Sequence, residues 1–125
     1  MSMFKIFDVS GRAARAQTQR LTVVATNVAN ADTPGFKAMD LPSFAETFAE
    51  GGNMRATRPG HGTNTDGTMV PLARRDKSAA APNGNSVSLE TEMVKAAGVR
   101  QDHEKDLAIY RNTSDIIRAS LGRSR

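Results

Sequence analysis

The sequence contains no cysteine and no tryptophan among its 125 residues, and aromatic side chains make up only 5% of it. Without cysteine the chain can form neither disulfides nor thiolate metal sites, and a cysteine nucleophile is excluded. With so few aromatic rings, apolar packing must come from Ala, Val, Leu, Ile and Met side chains. A chain of this length builds at most one ordinary domain and has little stability to spare.

Long hydrophobic runs are also missing. No stretch reaches the roughly 18 apolar residues that a membrane-spanning helix needs. The first residues include Lys5 and are soon followed by Arg12 and Arg15, which interrupts the apolar core that a cleaved secretion signal requires. If the protein leaves the cytoplasm, we therefore expect export without a cleaved signal peptide.

Residue types that carry out catalysis are scarce. One histidine, His61, lies in a glycine-rich stretch, and the other, His103, lies in a predicted helix; neither belongs to a recognisable triad or phosphate-binding loop. Asp102, His103 and Asp106 fall within about one helical turn, but a lone histidine among carboxylates is more typical of a solvated face than of a metal site. The sequence predicts no enzyme activity, no metal, no cofactor and no small-molecule substrate.

The net charge of +4 and the pI near 10.0 raise the question of a nucleic-acid partner. Lys and Arg outnumber Asp and Glu by 4 to 1 before Ala31, but the two signs nearly balance, 7 to 6, after Ser86. No dense basic run interleaved with aromatic residues occurs, so we expect no nucleic-acid binding. A basic helical nucleic-acid-binding or regulatory module stays open as the alternative function.

The first 30 residues are predicted to form one amphipathic helix. They contain no proline, and their apolar residues recur with helical spacing at Met3, Phe7, Ala14, Leu21, Val24 and Val28. Pro34 pushes Thr33 out of the helical region and so ends the helix before it. Pro34 and Gly35 together predict a type II turn with positive φ at Gly35.

The middle of the chain changes composition twice. Residues 31–49 are predicted to hold the turn and a short helix that starts near Pro42 or Ser43, because Leu41, Phe44, Ala45 and Phe48 have helical spacing. Residues 50–86 are rich in Gly, Pro, Asn, Thr and Arg, and we predict an irregular arm or linker there.

A second long helix is predicted over residues 87–122. Ser88 is the expected N-cap, Glu90 and Glu92 lie in the first turn, Arg118 and Arg123 lie near the other end, and Gly122 marks the stop. A seven-residue pattern predicts its packing face, with Arg100 and Ser114 as polar interruptions. The apolar positions of that pattern, with His103 among them, are Met93, Ala96, His103, Leu107, Tyr110, Ile117 and Leu121.

These elements predict an all-α fold in which the two terminal helices pack as a hairpin or coiled-coil-like bundle. Each helix would be about 45 Å long, and a lone pair with such interrupted apolar faces would be marginal. We therefore expect further copies to pack against them. The predicted packing and interface residues are Leu21, Val24, Val28, Met93, Leu107, Tyr110, Ile117 and Leu121.

The run from Asn27 to Ala38, NVANADTPGFKA, resembles the signature of the flagellar axial proteins of the rod and hook. In physical terms, Asn27 and Asn30 can bond local backbone as the helix unwinds, and Asp32 can cap the segment after it. The plainer interpretation is a helix stop and a turn. The predicted signature-loop residues are Asn27, Asn30, Asp32, Thr33, Pro34, Gly35 and Phe36.

A second run, GNSVSLETEM, is similar to the string that opens the C-terminal helix of the B-type subunit of the proximal rod. Its motif residues are Gly84, Asn85, Val87, Leu89, Glu90, Glu92 and Met93. The opening residues 1–8 instead look like the C-type rod subunit, and His103 stands where the resemblance leads us to expect tyrosine. The uninterrupted turn at 32–36 favours the B-type.

The resemblance implies a structural subunit of the flagellar basal-body rod, whose terminal helices pack side by side into a helical tube. It further implies contacts with other copies, with other rod proteins, and with the rod-base adaptor that meets the membrane ring. Export by the flagellar type III apparatus and a location in the rod where it crosses the periplasm are implied as well.

Overall fold

The computed structural model describes residues 2–51 and 73–122, and within them the chain is mainly helical. Helix α1 spans Met3–Ala29, strand β1 Met39–Asp40, helix α2 Phe44–Gly51, strand β2 Arg74–Arg75 and helix α3 Leu89–Ser120. Helices α1 and α3 pack along each other as an antiparallel hairpin, since Phe7 contacts Tyr110 at one end and Asn27 contacts Glu92 at the other. The predicted all-α fold is confirmed.

The helix ends follow the predicted signals. Ser88 caps α3 by accepting a hydrogen bond from the Thr91 amide at 3.5 Å, and Gly122 follows the helix with a φ of 73°. Helix α2 starts directly after Ser43, whose amide donates to Glu46 Oε2 at 2.8 Å and whose hydroxyl accepts from the Glu46 amide, a reciprocal capping box. These local interactions explain why the helices begin and end where the sequence predicted.

The middle arm is partly described. Residues 52–72, including His61, lie outside the described residues, as does Arg123. Residues 73–86 carry β2, which pairs antiparallel with β1 so that Met39 faces Arg75 and Asp40 faces Arg74. The two-residue ribbon was not predicted, because so short a strand has no periodicity to read. No described helix is long and apolar enough to cross a bilayer.

We call the residues of α1 and α3 that face each other the seam, and its buried members are Ala, Val or polar residues. The buried residues of α1 are Ser10, Ala13, Ala14, Val24 and Asn27, and those of α3 are Glu92, Val99 and Thr113. All buried side-chain nitrogen and oxygen atoms in residues 2–51 and 73–122 have hydrogen-bond partners. Burying these polar groups therefore costs little, and their small neighbours allow the helices to approach closely.

The predicted packing face of α3 is displaced by one residue at alternate positions. His103 and Ile117 lie in the seam as expected, but Val99 and Thr113 are buried where Arg100 and Ser114 were predicted, and Glu92 replaces Met93. Met93 is 71% exposed and Leu121 is 77% exposed. Both lie mostly outside the hairpin contact, because buried Glu92 takes the inner position beside Met93 and Leu121 lies beyond the end of α3. Their role in contacts between subunits stays a prediction.

Helix α1 shows the same displacement. Val24 is buried as predicted, but Leu21 and Val28 are about two-fifths exposed, while Arg20 and Asn27 turn towards the rest of the fold. Each exposed residue is the chain neighbour of a polar one with fixed partners. The apolar faces read from the sequence thus point partly away from the hairpin.

The end of the hairpin that holds Phe7 is closed by an aromatic pair. The rings of Phe7 and Tyr110 stack with centroids 4.2 Å apart, beside Gly11. One helical repeat further along, His103 Nδ1 lies 3.1 Å from the carbonyl oxygen of Ala14. Because a carbonyl only accepts, Nδ1 carries a proton, and His103 serves as a hydrogen-bonded seam residue in place of the expected tyrosine.

Candidate assembly site

The two sequence motifs meet in space. Residues 27–40, at the end of α1 and beyond, are hydrogen-bonded to residues 81–95, which lead into α3. We call these two segments together the clasp. It joins the end of α1 to the start of α3. The clasp therefore holds these two helix ends in fixed positions relative to each other.

Asn85 binds the turn that follows helix α1 from across the fold. Its Nδ2 lies 2.9, 2.8 and 2.9 Å from the carbonyl oxygens of Asn30, Ala31 and Thr33, and its Oδ1 accepts from the Val87 amide at 2.8 Å. Helix α1 itself ends locally, because the Asn30 and Ala31 amides and the Asn30 side chain bond carbonyls of its last turn, so Asn85 satisfies carbonyls beyond the helix end. The buried Asn85 amide thus fixes the turn after α1, a role that the motif match had not predicted.

Asn27 pairs with an extended backbone as a neighbouring strand would. Its Nδ2 donates to the Met39 carbonyl at 2.7 Å and to Glu92 Oε2 at 3.1 Å, while its Oδ1 accepts from the Met39 amide at 3.0 Å. The prediction that Asn27 bonds local backbone is therefore wrong, since these partners lie 12 and 65 positions away. Asn30 does bond locally, to the Thr26 carbonyl at 2.8 Å.

The predicted turn at Pro34 and Gly35 is present. Gly35 has a φ of 74°, and the Phe36 amide donates to the Thr33 carbonyl at 3.2 Å, as expected of a type II turn. Asp32 is exposed, and the chain after the turn is extended, so no helix starts there for Asp32 to cap. That part of the prediction is wrong.

Two glycines let the clasp segments touch. Gly84 has a φ of 81°, and a Cβ atom built on it would lie 3.3 Å from Gly35 Cα. The Gly35 amide donates to the Asn83 carbonyl at 3.0 Å. Both a positive φ and a close backbone approach therefore require glycine at position 84.

Ser86 completes the connection. Its amide donates to the Phe36 carbonyl at 3.0 Å, and its hydroxyl accepts from the Ala38 amide at 2.8 Å. Phe36 is half-buried and Ala38 is fully buried. Val87 is half-buried, whereas the remaining motif residues, apart from Glu92, face solvent: Leu89, Glu90 and Met93.

A cluster of charged side chains supports the clasp. Lys95 Nζ donates to Glu92 Oε1 at 3.1 Å and to Asp76 Oδ2, and it lies 3.8 Å from Asp40. Arg20 donates two hydrogen bonds of 3.1 Å each to the Asp40 carboxylate. Opposite charges thus connect α1, β1, the residue after β2 and α3.

The electrostatics of this cluster follow from the pairing. The bond to Asp40 raises the pKa of Arg20. Burial by itself would lower the pKa of Lys95, but the hydrogen bonds to Asp76 and Glu92 outweigh it, so that pKa is raised. The hydrogen bond from Lys95 lowers the pKa of Asp76. All three groups are therefore held in their charged forms.

Sequence reasoning missed the members of this cluster that lie outside the two motifs. Arg20 lies in the middle of a predicted helix, and Asp76 lies in the arm that was expected to be irregular. The available signal was the spacing of Glu92 and Lys95 at i and i+3, which places opposite charges side by side on a helix. It indicates a pair but not its partners elsewhere.

The clasp has the chemistry of a structural connection. Within residues 2–51 and 73–122 no group of three or more His, Cys, Asp or Glu side chains is placed to hold a metal ion. The buried side chains of Asn27, Asn85 and Glu92 are satisfied by backbone groups and by other side chains of the fold, which rigidifies a polar network. Such an arrangement holds two helix ends in place and leaves the outer faces of both helices exposed.

The chain is similar to known proteins of one family. A family model described as flagella basal body rod protein matches residues 7–37, which end in the clasp turn. The flagellar basal body rod protein FlgB of Agrobacterium fabrum is 30% identical over 90% of this chain and 89% of its own length. FlgC of Yersinia enterocolitica is 58% identical over 97% of both chains.

The chain belongs to the flagellar basal-body rod protein family. It is a structural subunit of the flagellar rod, in the basal body, where rod components assemble with one another. The nucleic-acid-binding alternative finds no support in these relatives. The higher identity with the FlgC relative does not favour the B-type over the C-type rod subunit, so the preference for the B-type stays a prediction.

Proposed function

We propose that this rod subunit uses its clasp to fix the hairpin and uses the outward apolar residues of the two long helices to dock neighbouring subunits. The observation that carries the proposal is a pattern of burial: the polar residues Asn27 and Glu92 are buried, while the large apolar residues Met93 and Leu121 are exposed. A folded monomer with satisfied polar groups inside and large apolar side chains outside is typical of a component awaiting a partner.

The eight predicted packing residues divide between two roles. Val24 is buried, Leu107 and Ile117 are half-buried, and Tyr110 stacks on Phe7, so these four support the hairpin itself. The other four are exposed, and we propose them as contacts between subunits: Leu21, Val28, Met93 and Leu121. Because the exposed residues lie on both helices, one face of a subunit can meet a different face of the next, which builds an open helical array.

The specific partners that we propose are taken from the family resemblance. We propose contacts with other copies, with other rod proteins and with the rod-base adaptor at the membrane ring, and export by the flagellar type III apparatus without a cleaved signal peptide. A non-enzymatic role accords with the clasp, in which polar side chains bond one another. The exposed turn at Asp32 and Pro34 projects from the clasp and is a further candidate contact.

The test places a charge on each outward face. Leu21→Glu and Met93→Glu should leave the free energy of unfolding within about 0.5 kcal/mol of wild type, because both side chains are exposed. They should nevertheless abolish rod completion and motility, since a charge in an apolar contact is costly. Gln19→Glu and Gln101→Glu change exposed polar positions of the same helices and serve as matched controls.

Two results decide the proposal. If both charged variants fail to complete rods at normal protein level, while both control variants complete them, docking through the outer faces is supported. Complete rods and normal motility with Leu21→Glu and Met93→Glu would contradict it. Phe36→Ala tests whether the signature loop also contacts a neighbouring subunit. If it does, this variant is exported but does not assemble into rods.

A further inference from the structure

The clasp contains an Asn–Gly step in an exposed turn. Asn83 is exposed, and the Gly84 amide donates to the Ala81 carbonyl at 2.8 Å, which closes a β-turn with Pro82 in its second position. The Asn83 carbonyl accepts from the Gly35 amide at 3.0 Å, and Asn83 Oδ1 accepts from the Asn85 amide at 3.0 Å. Each reactive group of this step is therefore held by a partner within the clasp.

We propose that Asn83 is a site of spontaneous deamidation whose rate is controlled by the clasp, so that a closed clasp protects it and an opened clasp exposes it to irreversible modification. The inference goes beyond the rod function and does not depend on it. It identifies a chemical modification site in the segment that connects the two signature motifs.

The chemistry needs only water and base. The Gly84 amide nitrogen loses its proton to base and attacks Asn83 Cγ, the bond from Cγ to Nδ2 breaks, and ammonia leaves as a cyclic succinimide forms. Water then opens the ring at either carbonyl and yields aspartate or isoaspartate. Glycine as the following residue favours the attack, because no Cβ hinders the approach of its nitrogen.

The closed clasp opposes each part of this step. The Gly84 proton that must be removed is bonded to the Ala81 carbonyl, and the Asn83 side chain that must be attacked is held through Oδ1. Gly84 is further fixed by its φ of 81° and by its contact with Gly35. Attack therefore requires local opening of the turn, and its rate falls in proportion to the population of the open form.

The product would prevent the clasp from closing again. In isoaspartate the main chain runs through Cγ and is one methylene longer, and the former Asn83 carbonyl becomes a free carboxylate. The bond from the Gly35 amide to Asn83 and the close approach of Gly84 to Gly35 both depend on the normal backbone spacing. A chain that stays open for long enough is thus marked chemically as unable to form the clasp.

The experiment compares the full chain in native buffer with the same chain in urea, both in mildly alkaline solution. Tandem mass spectrometry follows deamidation at residue 83 separately from Asn85, and an isoaspartyl methyltransferase assay detects isoaspartate. We expect native Asn83 to react at least about tenfold more slowly than in urea, which corresponds to an opening free energy above about 1.4 kcal/mol.

A variant tests the role of the clasp itself. Asn85→Ala removes the hydrogen bonds to three carbonyls and should accelerate deamidation of Asn83 towards the rate in urea. The matched control, Asn112→Ala, makes the same chemical change at an exposed position of α3 and should keep the wild-type rate. Circular dichroism shows whether each variant is folded. If Asn85→Ala does not fold, the comparison of the wild-type chain in buffer and in urea still tests the proposal.

The product is tested through the Gly35 amide. In wild type this amide should be protected from hydrogen exchange, and the fraction of chains that carries isoaspartate at position 83 should lose that protection. Equal deamidation rates in buffer and urea, or an Asn83 that stays unmodified even in urea, would overturn the proposal, as would unchanged protection of Gly35 in the isoaspartate fraction.

Discussion

The side chains of Asn27 and Glu92 are hydrogen-bonded to each other at 3.1 Å, although 65 positions separate them in the sequence, and each is only 1% exposed. One belongs to the signature at the end of the first long helix, and the other belongs to the motif that opens the second. The relationship converts two sequence motifs that looked independent into one structural unit.

Replacing Asn27 by alanine tests the weight of this contact. Asn27→Ala removes the partner of the Met39 amide and carbonyl and one partner of the buried Glu92 carboxylate. Leaving buried polar groups unsatisfied is expensive, so the free energy of unfolding should fall by about 2 to 4 kcal/mol. Urea unfolding followed by circular dichroism measures it, and a loss below about 0.5 kcal/mol, the range of surface substitutions, would contradict the buried network.

The Asp76 carboxylate should give the fold an acid-sensitive contribution. The hydrogen bond from Lys95 lowers the pKa of Asp76 in the folded chain. A lowered carboxyl pKa stabilises the fold above the unfolded-state value of about 3.9, and this stability is lost as pH falls through the folded-state pKa. Asp76→Asn should therefore be less stable than wild type at neutral pH by about 1 kcal/mol, with the gap closing below about pH 4. A gap that persists unchanged in acid would exclude the ion pair as its cause.

Asp106 should behave in the opposite sense. Burial of its carboxyl, and secondarily the nearby Asp102, raises the pKa of Asp106, although His103 and Lys105 oppose the shift. The charged form is then disfavoured in the folded state, and stability increases as pH falls through the raised pKa. Asp106→Asn should raise the free energy of unfolding at neutral pH by less than about 1 kcal/mol, and the gain should vanish below about pH 4. Unfolding curves across this pH range test the sign, and Asp115→Asn, on the exposed face of α3, is the control.

Three glycines should respond differently to alanine. Gly11 lies inside α1, and its added Cβ would meet Tyr110 at an ordinary 3.6 Å, so Gly11→Ala should stabilise by about 0.5 to 1 kcal/mol. Gly35→Ala should lower the free energy of unfolding by about 1 to 2 kcal/mol through the positive φ alone, since no atom lies within 4 Å of the added Cβ. Gly84→Ala should cost more, because its Cβ also approaches Gly35. Thermal melts give the order, and a stabilising Gly35→Ala would contradict the turn.

Local signals predicted the elements of this fold well. Ser88, Gly122 and the pair Pro34 and Gly35 act through hydrogen bonds and backbone preferences within a few residues, and each stands where it was expected. The family resemblance of the two motifs was likewise readable from contiguous strings. Interactions of this kind need no knowledge of the tertiary fold.

The seam could not be predicted in the same way. Apolar periodicity marks Leu21 and Met93, yet the hairpin buries their neighbours Arg20 and Glu92 at least in part. Burial of a polar residue is favourable only when a partner elsewhere satisfies it, and the partners Asp40 and Asn27 come from other parts of the chain. The hydrophobic pattern therefore marks exposed faces of the hairpin as much as its inner contact.

The bonds that Asn85 makes to the turn after α1 have a consequence for how the chain is made. The carbonyls of Asn30, Ala31 and Thr33 leave the ribosome more than 50 residues before Asn85, the nearest of them 52 positions earlier. Chains generally begin to fold from the amino end during synthesis, but here the turn that follows the first helix lacks its side-chain partner until the second motif has been translated. The hairpin therefore closes late, in a step that a chain truncated before Asn85 cannot complete.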